Sequence, residues 1–163
     1  MTPDGLIPEY LKKKHEQMEA EESRRQLVAA QRRADELLIS NQREKFWKQL
    51  TEKLHLAVDS FPALPALRLD GKLTSFVPNQ VRVEMHRIGG PHLSTTHTDL
   101  YCHGKTINCN TLGDGVYDLD FCILSDAEIG VVSSQKPGIA MDAEHAAEYV
   151  IERMMAIVER QAT

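Results

Sequence analysis

Residues 97–110 read HTDLYCHGKTINCN, two short alternating runs on either side of His103-Gly104. Alternation of period two places successive side chains on opposite faces of a strand, and glycine at a two-residue bend is the signature of a tight hairpin. If the bend is His103-Gly104, Cys102 opposes Lys105, Leu100 opposes Ile107 and Thr98 opposes Cys109. The other face then pairs Tyr101 with Thr106, Asp99 with Asn108 and His97 with Asn110. Register follows from the bend alone, so this stretch separates an apolar face from a polar one.

The same parity extends to neighbouring runs. Candidate strands cover 80–88, 94–102, 105–111, 116–124 and 129–133, punctuated by Gly89-Gly90-Pro91, His103-Gly104, Gly113-Asp114-Gly115 and Ser125-Asp126. Val81, Val83, Met85, Tyr117, Leu119, Phe121 and Ile123 fall on the inner face. Connections this short predict antiparallel neighbours, hence a five-stranded meander.

Helices flank the strands. From Pro8-Glu9 to about Val58 no glycine or proline interrupts, and residues 12–26, KKKHEQMEAEESRRQ, are strong helix formers with almost no apolar stripe. Leu27, Ala30, Ala34 and Leu37 then fall at heptad spacing, and after a slip Trp47, Leu50, Leu54 and Ala57 form a second seam. We expect the second seam to dock on the domain core. The first, with Leu27, Ala34 and Leu37 as its apolar points, is expected to serve self-association or a protein partner. Near the other end Asp142 caps a helix whose apolar stripe runs through Ala147, Val150, Ile151, Met154, Ile157 and Val158, with Glu144, Glu148, Glu152 and Glu159 facing water. The expected fold is α+β: a long N-terminal helix (1–58), a proline-containing connector (59–79) in which Asp70-Gly71 closes a small hairpin, and an antiparallel sheet backed by the C-terminal helix (80–163).

Charge narrows the function classes. The 163 residues hold 19 Lys and Arg against 24 Asp and Glu, a net charge of -5. Residues 1–56 sum to +1 and residues 57–163 to -6. A basic surface for bulk attraction to phosphate is therefore not expected. Lys12, Lys13, Lys14, Arg24, Arg25, Arg32 and Arg33 are interleaved with Glu16, Glu19, Glu21 and Glu22, which argues against nucleic acid. Three cysteines with no CxxC spacing, no apolar span and no secretory leader point to a cytoplasmic protein without a membrane segment.

The outer sheet face carries what chemistry the chain has: Arg82, Glu84, His86, His97, Asp99, Tyr101, Asn108, Asn110, Asp118 and Asp120. The plain reading is a solvated face. A second makes it a partner surface anchored by Tyr101 and Glu84. A third makes it a divalent-metal site of a hydrolase or nucleotidyl-transfer-like enzyme, because residues two apart on a strand point the same way. His86, His97, Asp99, Asp118 and Asp120 would be its ligands. Asp118 and Asp120, in DLDF, have the spacing at which two strand carboxylates grip magnesium, yet the glycine-serine turn and helix that accompany such a pair are missing. Cys109 reads as core, Cys102 as beside a turn, and Cys122 as a thiol whose pKa the charges of Asp118 and Asp120 raise. His92 reads as loop decoration. With no complete catalytic constellation, the expectation is a non-enzymatic interaction or regulatory module, without cofactor, that oligomerises through its first helix.

Overall fold

The computed structural model describes residues 6–90, 93–125 and 127–162. The chain divides into two compact units, 1–37 and 38–163, and the helix α1 (Glu9–Ser60) contributes residues to each. In the first unit α1 is exposed on every side, and Leu27 keeps 72 % of its surface in water. The i,i+4 pairs Arg25 to Glu21 at 2.9 Å and Gln31 to Asp35 at 2.8 Å lie along it.

In the second unit one side of α1 becomes apolar, and Phe46, Trp47, Leu50, Leu54 and Val58 are buried. Pro62 and Pro65 then open two short 3-10 turns, Phe61–Ala63 and Pro65–Leu67, because a proline ring blocks the α-helical hydrogen bond. Arg68, at φ 54°, turns the chain into the sheet.

Seven strands follow, β1 (Leu69–Val77), β2 (Gln80–Arg87), β3 (Thr95–His103), β4 (Thr106–Thr111), β5 (Gly115–Ser125), β6 (Glu128–Ser133) and β7 (Lys136–Met141). They form one antiparallel meander in chain order. The α+β fold is as expected, but the sheet has seven strands, not five. The bend expected at Asp70-Gly71 is absent, because both residues lie inside β1 opposite His86 and Met85. Gly71 marks a close approach instead of a turn: a Cβ there would sit 2.7 Å from the Glu84 carbonyl oxygen and 3.2 Å from the Val58 side chain. β7 escaped notice because Lys136–Met141 contains Pro137 and Gly138, residues that a strand tolerates at a sheet edge.

The central hairpin turns one step later than expected. Gly104 and Lys105 form the bend, with Gly104 at φ 59°; Leu100 faces Cys109 and Asp99 faces Asn110. Only glycine takes that left-handed conformation freely, and a positive φ at the first bend position alone suits a type II′ turn. A register displaced by two residues preserves which face each side chain occupies.

The inner face is dry. Val81, Val83, Met85, Leu100, Ile107, Cys109, Tyr117, Leu119 and Val131 share one core with the α1 residues and with α2 (Ala143–Ala162). Phe46 meets Phe121 edge to face at 5.5 Å. Three threonines in this face are paired: the hydroxyls of Thr98 and Thr111 lie 2.8 Å apart, and Thr96 Oγ1 donates to the Leu112 carbonyl at 2.6 Å, whereas the buried Tyr117 hydroxyl has no hydrogen-bond partner among the described residues. Asp142 caps α2 as expected, its Oδ1 accepting the His145 amide at 2.8 Å. That bond and the adjacent imidazole hold the Asp142 carboxyl below its usual range.

Met154, wholly buried in α2, sits at the centre of this packing. Met154→Ala is expected to lower the unfolding free energy by about 2–5 kcal/mol in chemical denaturation. Leu93→Ala, at a side chain 82 % exposed, is expected to change it by less than about 0.5 kcal/mol.

Candidate functional site

Strand register fixes the neighbours on the outer face. Lys72, Glu84 and His97 align across β1 to β3; Arg82, Asp99 and Asn110 across β2 to β4; Tyr101, Asn108 and Asp118 across β3 to β5; and His103, Thr106 and Asp120 likewise. Arg82 grips Asp99 with two parallel bonds, Nε to Oδ1 at 2.7 Å and Nη2 to Oδ2 at 3.0 Å, the strong bidentate geometry of guanidinium and carboxylate. The bond to Asp99 raises the Arg82 pKa. Asn108 Nδ2 donates to Asp118 at 3.0 Å, and Thr106 Oγ1 to Asp120 at 2.8 Å.

Each carboxylate of the expected metal set is therefore engaged by a neighbour. His97 Nε2 lies 3.9 Å from Asp99, while His86 leans towards Asp70 at 3.6 Å. His86, His97, Asp99, Asp118 and Asp120 each stand in a different cross-strand row. Among the described residues no three His, Cys, Asp or Glu side chains are grouped to hold an ion.

Nor do the thiols suit nucleophilic work. Burial pushes Cys109 up to about 12 and also raises Cys102, against an opposing effect of Arg43. Cys122 is raised too, chiefly by burial and not by the neighbouring aspartates. His92 lies outside the described residues.

The face is not uniformly polar. Phe76 and Val116 stand 55 % and 57 % exposed; Arg82 covers the Phe76 ring at 5.7 Å, and Tyr101 stacks on His103 at 5.5 Å. Tyr101 and Glu84 both lie on it, two cross-strand rows apart.

Two apolar surfaces lie elsewhere. On the first unit, Leu27, Ala34 and Leu37 are exposed as one seam, and Arg24, Arg25, Val28, Ala29 and Arg32 surround a shallow hollow on the same helix. In the second unit a groove of about 440 Å³ runs between the end of α1 and α2. Leu56, Ala57, Ala147, Ile151 and Met155 form its floor; Glu144, Glu148 and Glu152 edge one side and Lys53 the other. Sequence reading placed these glutamates on the wet side of α2. It missed the groove because its second wall comes from a helix almost a hundred residues away. It missed Arg153 as well, whose guanidinium donates to Asp114 and to the Tyr149 hydroxyl at 2.9 Å and lies 4.5 Å over the Tyr117 ring, tying α2 to the β4–β5 turn.

No protein-family model, curated protein or solved structure matches the chain. Among the described residues no helix is long and apolar enough to cross a membrane.

Elemental analysis of the purified protein is expected to find no stoichiometric transition metal, since every candidate carboxylate already has a partner. A bound ion that is lost in His97→Ala or Asp118→Ala would reinstate the outer face as a metal site.

Proposed function

We propose that this protein is a non-enzymatic interaction module that self-associates through the N-terminal half of α1. The observation that carries this reading is the exposure of Leu27 and Leu37, at 72 % and 62 %, on a helix that has no apolar cover along residues 9–37. A helix this polar gains little from intrinsic propensity, so its ordering is best served by burying an apolar seam in a partner. A second copy is the partner most readily supplied, since closed homo-oligomers are the commonest assemblies of soluble chains.

The outer sheet face supports the same reading from the other direction. Its aspartates Asp99, Asp118 and Asp120 are matched to Arg82, Asn108 and Thr106, an arrangement suited to a stable, hydrated surface. Tyr101 and Glu84 are available there for a further protein contact. The three unpaired cysteines suit a reducing compartment, and we place the module in the cytoplasm.

Size-exclusion chromatography with light scattering tests this. The protein is expected to elute as a dimer or larger assembly, and Leu27→Asp with Leu37→Asp to yield monomer with unchanged sheet circular dichroism. A wild-type protein that is monomeric at every concentration contradicts the proposal.

A further inference from the structure

Self-association through the arm leaves open what the arm sits against, and the groove in the second unit has the matching chemistry. Its floor is apolar, and Leu56 within it stands 62 % exposed. Along its α2 edge Glu144, Glu148 and Glu152 recur every four residues, so they form one stripe. Among the described residues neither Glu148 nor Glu152 is tied up in a hydrogen bond or ion pair with the chain. The edge is an acidic rail with His145 beside it and Lys53 across the groove, next to an apolar floor in which Leu56 is exposed.

One segment of the chain is complementary to it. Residues 23–34, SRRQLVAAQRRA, contain four arginines and no acidic residue. Val28 is 54 % exposed, with Arg24 and Arg25 one turn before it and Arg32 one turn after. Leu27, the adjacent residue, points about 100° away, so two neighbouring apolar ridges are available for a groove with a wall on each side. The spacing also matches: Arg24 to Arg32 and Glu144 to Glu152 are both eight residues apart, about 12 Å along a helix axis. A second copy carries this segment, and with it the basic and apolar side chains complementary to the groove.

We infer that residues 24–32 of α1 dock in the groove between α1 and α2 of a second copy, with Leu27 and Val28 on its apolar floor and Arg24, Arg25 and Arg32 along the Glu144, Glu148 and Glu152 rail. This rests on the self-association proposed above and names the surface that receives the arm. Reciprocal exchange between two copies, each giving one arm and receiving one, makes a closed dimer. The apolar contacts hold the arm, and the charges select its position and speed its approach.

Charge reversal in the full-length protein tests the pairing. Glu148→Arg with Glu152→Arg, and separately Arg25→Glu with Arg32→Glu, are each expected to weaken the dimer by about ten-fold or more in analytical ultracentrifugation. An equimolar mixture of the two variants restores complementary arm and groove contacts, and is expected to recover a dimer containing one of each. That recovery also shows that both variants are folded. Dimers that survive the groove substitutions yet dissolve in Leu27→Asp overturn the groove assignment and leave the arm's role standing. A mixture that stays monomeric overturns it as well, and a wild-type monomer overturns both readings.

Discussion

The structure depends on one contact: the apolar side of α1 from Phe46 to Val58, laid together with α2 against the inner face of a meander that would otherwise be dry on neither side. A lone antiparallel sheet of this size leaves Val83, Met85, Leu100, Ile107 and Leu119 in water. All five are fully buried here. Removing such side chains from water at roughly 25 cal/mol per Å² is the main favourable contribution available to the fold. Several polar groups in this interface are matched to one another, as Thr98 is to Thr111 and Ser133 to Tyr149. Gln42 and Arg43 of α1 add bonds to the carbonyls of Ala127 and Gly104, locating the helix on two turns of the sheet.

Parity was the part of the fold most legible in the sequence. The bend of the central hairpin was misplaced, at His103-Gly104 instead of Gly104-Lys105, but by a shift of two that leaves His97, Asp99 and Tyr101 on the outer face and Leu100 on the inner. Period-two alternation determines faces, whereas the bend residue determines partners, and only the second was misread. β1 was hidden for a different reason. Glycine inside a strand resembles a turn signal until one sees that Gly71 makes room for Val58 and the Glu84 carbonyl, a fact of packing between segments distant in sequence. β7 was hidden by Pro137 and Gly138, which an edge position permits.

The outer face was equally legible in composition, yet its chemistry was not. The sequence could place His86, His97, Asp99, Asp118 and Asp120 on one surface, but not reveal that Arg82, Asn108 and Thr106 would engage the aspartates. Those pairings depend on cross-strand register, which a two-residue shift alters: Asn108 stands opposite Tyr101, not Asp99. The groove between α1 and α2 was beyond reach for the same reason, since glutamates spaced by four look solvated until a second helix supplies the opposite wall. The seam of Leu27, Ala34 and Leu37, by contrast, is a property of one helix and could be read from spacing alone.

Trp47, the single tryptophan, reports most directly on the contact that organises the rest. It is 7 % exposed and its Nε1 donates to the Pro78 carbonyl at 2.8 Å, in the turn between β1 and β2. Denaturant unfolding should therefore be followed by Trp47 fluorescence and by far-ultraviolet circular dichroism on the same samples. The account predicts a blue-shifted native emission, protected from acrylamide, that moves red at the denaturant midpoint at which the sheet signal is lost. A red, quencher-accessible Trp47 in the native protein, or a fluorescence transition completed before the sheet unfolds, would show that α1 does not form the core with the meander.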